Sequence, residues 1–163
     1  MTNAALADWN SRVDALWADD SLSPAELVER MTALSEEAPH RALGFFELAG
    51  AYDSTGDERA AARHYERALD QGLARVDPPR AAQLAVQYGS TLRNIGRIDD
   101  ALALLQDAPV HESTGSAPAA FLALALHSAG RPEEALRVAL DALAPTLPRY
   151  ERSVRAYAAD LTT

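Results

Sequence analysis

FFELAGAYDSTGDERAAARHYERAL, from Phe45 to Leu69, is two helix-forming runs around a tight turn, and the chain writes it twice more. The further copies are AVQYGSTLRNIGRIDDALALLQDA from Ala85 and AAFLALALHSAGRPEEALRVALDA from Ala119. In each copy a glycine (Gly56, Gly96, Gly130) stands five residues ahead of an alanine (Ala61, Ala101, Ala135). Each unit therefore reads as helix, turn, helix, with the alanine packed near the start of the second helix. The glycines are 40 and 34 residues apart. The shorter spacing is a helical-hairpin repeat period, and the longer one carries a six-residue insertion placed in Gly72 to Arg80, around Pro78-Pro79.

Outward from these copies the pattern continues in weaker form. Leu6, Trp9, Val13, Leu16 and Trp17 recur at helical spacing and predict a first helix over about residues 3 to 19. Ser23-Pro24-Ala25-Glu26 has the form of a capping box with proline at the first helical position, opening a helix that carries Leu27, Met31 and Leu34. Pro39 closes it, so residues 3–39 form a degenerate first hairpin. Repeats follow at 42–72, 80–109 and 116–144. After them Tyr150, Val154, Tyr157, Ala158 and Leu161 share one face of a last helix over 146–162, which caps the apolar end of the stack. The expectation is one all-α domain over 1–163.

Composition narrows the function classes. The chain has 163 residues, 48% of them hydrophobic, which is enough for a buried core. Its net charge of -9 and pI near 4.8 disfavour nucleic acid, whose phosphates draw on clustered positive charge. There is no cysteine, hence no disulfide and no thiolate metal site. His40, His64, His111 and His127 fall in different units or linkers without metal-ligand spacing, so neither metal nor cofactor is expected. No basic leader precedes an apolar core and no run reaches membrane-spanning length, which places the chain in the cytoplasm and away from membranes. Every basic residue apart from histidine is arginine, and alanine is abundant, a bias that reads as the mark of a GC-rich bacterial genome.

The strings STLRNIGRIDDALALL (90–105), FLALALHSAGRPEEAL (121–136) and YERSVRAYA (150–158) resemble the tetratricopeptide repeat superfamily, and within it the short bacterial group 5 type. With Ala42 as position one, Phe45, Leu48, Ala49 and Tyr52 take the inward places of helix A, and Ala61, Tyr65 and Ala68 those of helix B. The resemblance implies a right-handed superhelix of about four antiparallel hairpins, A helices lining a concave groove, and a role as a non-catalytic scaffold for a protein or peptide partner. The superfamily's clamp for chaperone tails uses lysine and asparagine on helix A. This chain has no lysine and shows Phe46, Gly50, Val86, Ser90, Ala120 and Leu124 there, so that ligand is not expected.

Groove positions two, five, nine, twelve and thirteen give a two-toned surface. Leu43, Phe46, Val86, Ala120 and Leu124 are its apolar part; Asp53, Arg93 and His127, beside Ser54, Asn94 and Ser128, are its polar part. An apolar anchor with a polar rim suits a peptide, and Arg93 can hold a carboxylate through both arms of its guanidinium. The plain alternative is a solvated wall in which Asp53 and Arg93 pair with each other. An intracellular peptide-sensing regulator is a further reading, and a small-molecule enzyme using Asp53, Arg93 and His127 a more distant one. Arg59, Arg63 and Arg67 make an outward ridge on helix B, a solvated face or a contact for an acidic surface, including this chain's own Asp14, Asp19, Asp20 and Glu26. Trp9, Leu16 and Trp17 give the first helix more aromatic surface than its own repeat can bury, which suggests a homodimer; the plain alternative is that both indoles pack on the second helix and the second repeat.

Overall fold

The computed structural model describes residues 3–163. Among them the regular structure is helical and contains no strand. Helices α1 (Asn3–Trp17) and α2 (Pro24–Glu36) are the first pair, α3 (Arg41–Ser54) and α4 (Glu58–Asp70) the second. A single short turn, α5 (Leu73–Val76), leads into α6 (Pro78–Asn94) and α7 (Ile98–Gln106). The chain continues through α8 (Ala117–Ser128) and α9 (Pro132–Leu143) to a 3-10 turn, Ala144–Thr146, and α10 (Glu151–Asp160). Two compact units result, the first running to Leu84 and the second spanning Ala85–Thr163.

Local chemistry sets the boundaries. Ser23 caps α2 as the sequence predicts: its Oγ accepts from the Glu26 N–H at 3.3 Å, and the Glu26 carboxylate accepts from the Ser23 N–H at 2.9 Å. Asp57 caps α4 and Asp77 caps α6, each through a side-chain oxygen that accepts a backbone N–H three residues on, at 2.9 and 3.0 Å. Gly56, Gly96 and Gly130 close the three hairpins at φ of 88°, 85° and 74°, a left-handed backbone that side-chain-bearing residues resist.

In the first unit α3 lies between α2 and α4. Small residues allow the close approach: a Cβ on Gly44 would sit 2.3 Å from the backbone carbonyl oxygen of Ser35 in α2. Leu43, Leu48, Ala49, Ala61, Tyr65 and Ala68 are buried around this crossing, and Leu73 of the inserted turn is buried with them, in contact with α3 and α4. In the second unit Gly89 of α6 plays the same part against Leu105 of α7, whose Cγ a Cβ would approach to 2.6 Å. Ala101, Ala123, Leu126 and Ala135 complete that core.

The last helix differs from expectation. It starts at Glu151 rather than near residue 146, because the chain first makes the 3-10 turn and then passes through Tyr150 at φ 72°. Val154, Ala158 and Leu161 turn inward, whereas Tyr150 and Tyr157 are exposed. Leu136 and Leu143 of α9 also remain about half exposed, so α10 covers the end of the second unit only in part.

Candidate interaction surface

The polar groove residues of the second unit gather where α6 and α8 end. Arg93, in the last turn of α6, donates from Nε to the Ser128 hydroxyl in α8 at 2.8 Å and more weakly from Nη1 to the Asn94 side-chain oxygen at 3.4 Å. No carboxylate of the second unit pairs with it among the described residues. His127 precedes Ser128 and is exposed, and Leu124, one turn earlier on α8, exposes 47% of its surface. Arg93, Asn94, Leu124, His127 and Ser128 thus combine an accessible apolar side chain with a positive charge balanced only by neutral oxygens.

The apolar candidates are placed differently. Phe46 and Val86 are buried, at 5% and 7% exposure, so neither stands out as an open anchor. Asp53 is half-buried at the end of α3 and already engaged. Burial first, then the charges of Asp53 and Glu47, hold the Tyr65 phenol well above its usual range.

The N-terminal indoles also part ways. Trp9 is buried, and its Nε1–H donates to the Leu34 carbonyl at 2.9 Å, so the exposed aromatic surface expected of it is absent. Leu16 is half-buried. Trp17 keeps 38% exposure, lies against Gly50 and donates from Nε1 to Glu47 at 2.9 Å.

Glu47 belongs to a network that the sequence reading missed. Its other oxygen accepts from Arg80 Nε at 2.8 Å, while Arg80 also donates to Asp77 at 2.8 Å and to Asn10 of α1 at 3.1 Å. The guanidinium carbon stands 5.8 Å above the Trp9 ring, a cation–π distance. Arg80 thereby ties α1, α3 and the start of α6 through a mostly buried ion pair. Hydrogen bonds and the two carboxylates hold its charge against burial, keeping its pKa above the ordinary arginine value. The available signal was a lone charge inside the apolar run of α3, since Glu47 sits between Phe46 and Leu48.

Among the described residues no three His, Cys, Asp or Glu side chains converge as a metal site, and no helix is long and apolar enough to cross a membrane. Histidine chemistry is local: His40 Nδ1 accepts from the Ala42 N–H at 3.1 Å as the cap of α3, and His111 Nδ1 accepts from the Ser113 N–H at 3.1 Å.

Repeated helical hairpins closed by left-handed glycines define a helical-repeat protein. A family model described as "Tetratrico peptide repeat" matches residues 42–161, and the chain belongs to that family. No curated protein and no solved structure matches it. Family membership points to association with other proteins as the general role.

Proposed function

We propose that the protein is a non-catalytic interaction module that binds a peptide segment on the α6 and α8 face of its second unit. Arg93 holds a carboxylate of the partner, Leu124 supplies apolar contact, and Asn94 and His127 form the rim. The observation that carries this reading is the Arg93 guanidinium, aimed by Ser128 and left without a counter-ion in a chain of net charge -9. The test is capture from native cytosol by the wild type and by an Arg93→Glu, Leu124→Glu variant, both substitutions lying on accessible side chains. A protein retained by the wild type, lost from the variant and displaced by its own carboxylate-bearing peptide supports the reading. Equal retention by both overturns it.

A homodimer is the second reading of the partner. Its support now comes from the other end of the chain, where Leu136 and Leu143 of α9, Tyr150 just before α10 and Tyr157 of α10 are each exposed. Sedimentation equilibrium of the wild type against Leu136→Glu, Tyr157→Glu separates the two readings: a dimer that the substitutions dissociate supports it, and a monomer throughout removes it.

A further inference from the structure

The first unit carries a separate set of features, on helices α2, α3 and α4. Helices α2 and α4 each pack on α3 and make no more than marginal contact with each other, which leaves a groove above α3. Phe45 and Tyr52 of α3 both meet the His64 ring of α4, Tyr52 stacked at 5.3 Å and Phe45 tilted at 6.1 Å, and all three rings are only half covered. At one end the groove opens into a cavity of about 360 Å³ lined by Ser35, Glu36, Ala38, Arg41 and Phe45. That is within the range of ligand pockets, roughly 300–1,000 Å³.

The charge around it is unbalanced. Arg41, Arg59, Arg63 and Arg67, like Arg75, Arg93, Arg149 and Arg152 elsewhere in the chain, form no ion pair among the described residues. Arg67 lies over the Phe45 ring at 5.7 Å. Glu58 and Glu66 on the same helix hold partners of their own, and Glu36 stands on the far wall, in the cavity.

We propose that this groove binds an acidic linear peptide with one aromatic or large aliphatic anchor. The anchor enters the cavity against Phe45, on the side away from the arginines of α4, where Glu36 disfavours a second carboxylate. The flanking acidic side chains lie along Arg63 and Arg67. Charge complementarity selects this occupant: within a chain of net charge -9, these arginines are a local concentration of unneutralised positive charge beside half-buried aromatic rings.

The test uses full-length protein and an N-acetylated, C-amidated hexapeptide, Asp-Glu-Phe-Glu-Glu-Asp, followed by backbone amide shifts. Shifts at Phe45, Tyr52 and His64 are expected. Arg63→Glu with Arg67→Glu should weaken binding by about tenfold or more, the combined effect of two lost charge-assisted contacts, and alanine in place of the peptide's phenylalanine by about tenfold. Both arginines are exposed, so the doubly substituted chain keeps its fold. Arg93→Glu should leave these shifts unchanged, which separates this site from the one on the second unit. Equal binding of a lysine-for-glutamate peptide, loss of the shifts through Arg93→Glu, or no shift at millimolar peptide would overturn the proposal. So would the same shifts on concentrating the protein alone, which would make a second copy the occupant.

Discussion

Gly44 and Gly50 lie on the same helix, and replacing each by alanine separates backbone propensity from packing. Alanine within a helix is worth about 0.8–1 kcal/mol over glycine, and this gain is common to both substitutions. Their neighbours differ. At Gly44 the new methyl would stand 2.3 Å from the Ser35 carbonyl oxygen and 3.1 Å from Ala38 Cβ, so the backbone of α2 must move. At Gly50 the nearest atom is a ring carbon of Trp17 at 3.3 Å, and that ring is partly exposed and able to shift. Overpacking a fixed contact costs about 1–3 kcal/mol, so Gly44→Ala should be less stable than Gly50→Ala by that amount, with propensity cancelling. For a chain of this size the gap corresponds to about 2–4 °C in Tm per kcal/mol. Urea denaturation followed by circular dichroism at 222 nm measures it directly. A Gly44→Ala protein as stable as Gly50→Ala would mean that α2 does not lie as close to α3 as described, and the account of the first unit would fail.

Glu47→Ala should destabilise by about 2–3 kcal/mol, because it leaves Arg80 mostly buried with only Asp77 to balance it, and Glu47→Gln by less, since the amide oxygen still accepts; chemical denaturation of both checks the order. Ala101→Leu should cost about 1–3 kcal/mol by overpacking the fully buried start of α7, and unchanged thermal stability would count against that packing. His64 faces Phe45 and Tyr52 on α3 and Arg63 and Arg67 on α4. Burial first, then the two arginines, push its pKa below the ordinary 6.5, so the unfolded chain takes up the proton first and stability should fall as pH drops below about 6.5. A His64→Gln variant should lack that increment, and an imidazole pKa at or above the ordinary value by NMR titration would refute the assignment.

The hairpins were legible because they rest on local rules. The glycine-to-alanine interval, the capping box at Ser23 and the small residues at helix crossings each act within one turn or one hairpin. What escaped depends on partners distant in sequence. Arg80 reaches Glu47 across 33 residues and Asn10 across 70, and no periodicity relates them. Phe46 and Val86 occupy places that repeat arithmetic calls groove, yet exposure at such a place depends on what the rest of the chain leaves uncovered. Tyr150 and Tyr157 fit a helical stripe on paper, but the helix begins after Tyr150, and the inward face falls on Val154, Ala158 and Leu161. Arg93 was legible as a residue, whereas its lack of a counter-ion was not.

Both indoles lie on α1, and the second unit has no tryptophan. Tryptophan emission therefore reports on the first unit alone, while helical circular dichroism reports on both. Recorded together along one denaturant series, coincident midpoints are the sign of a single cooperative transition through all the hairpins, and an earlier or later emission change would show the halves melting on their own. The placement of Trp9 and Trp17 thus gives the chain a built-in optical label for how far cooperativity travels along it.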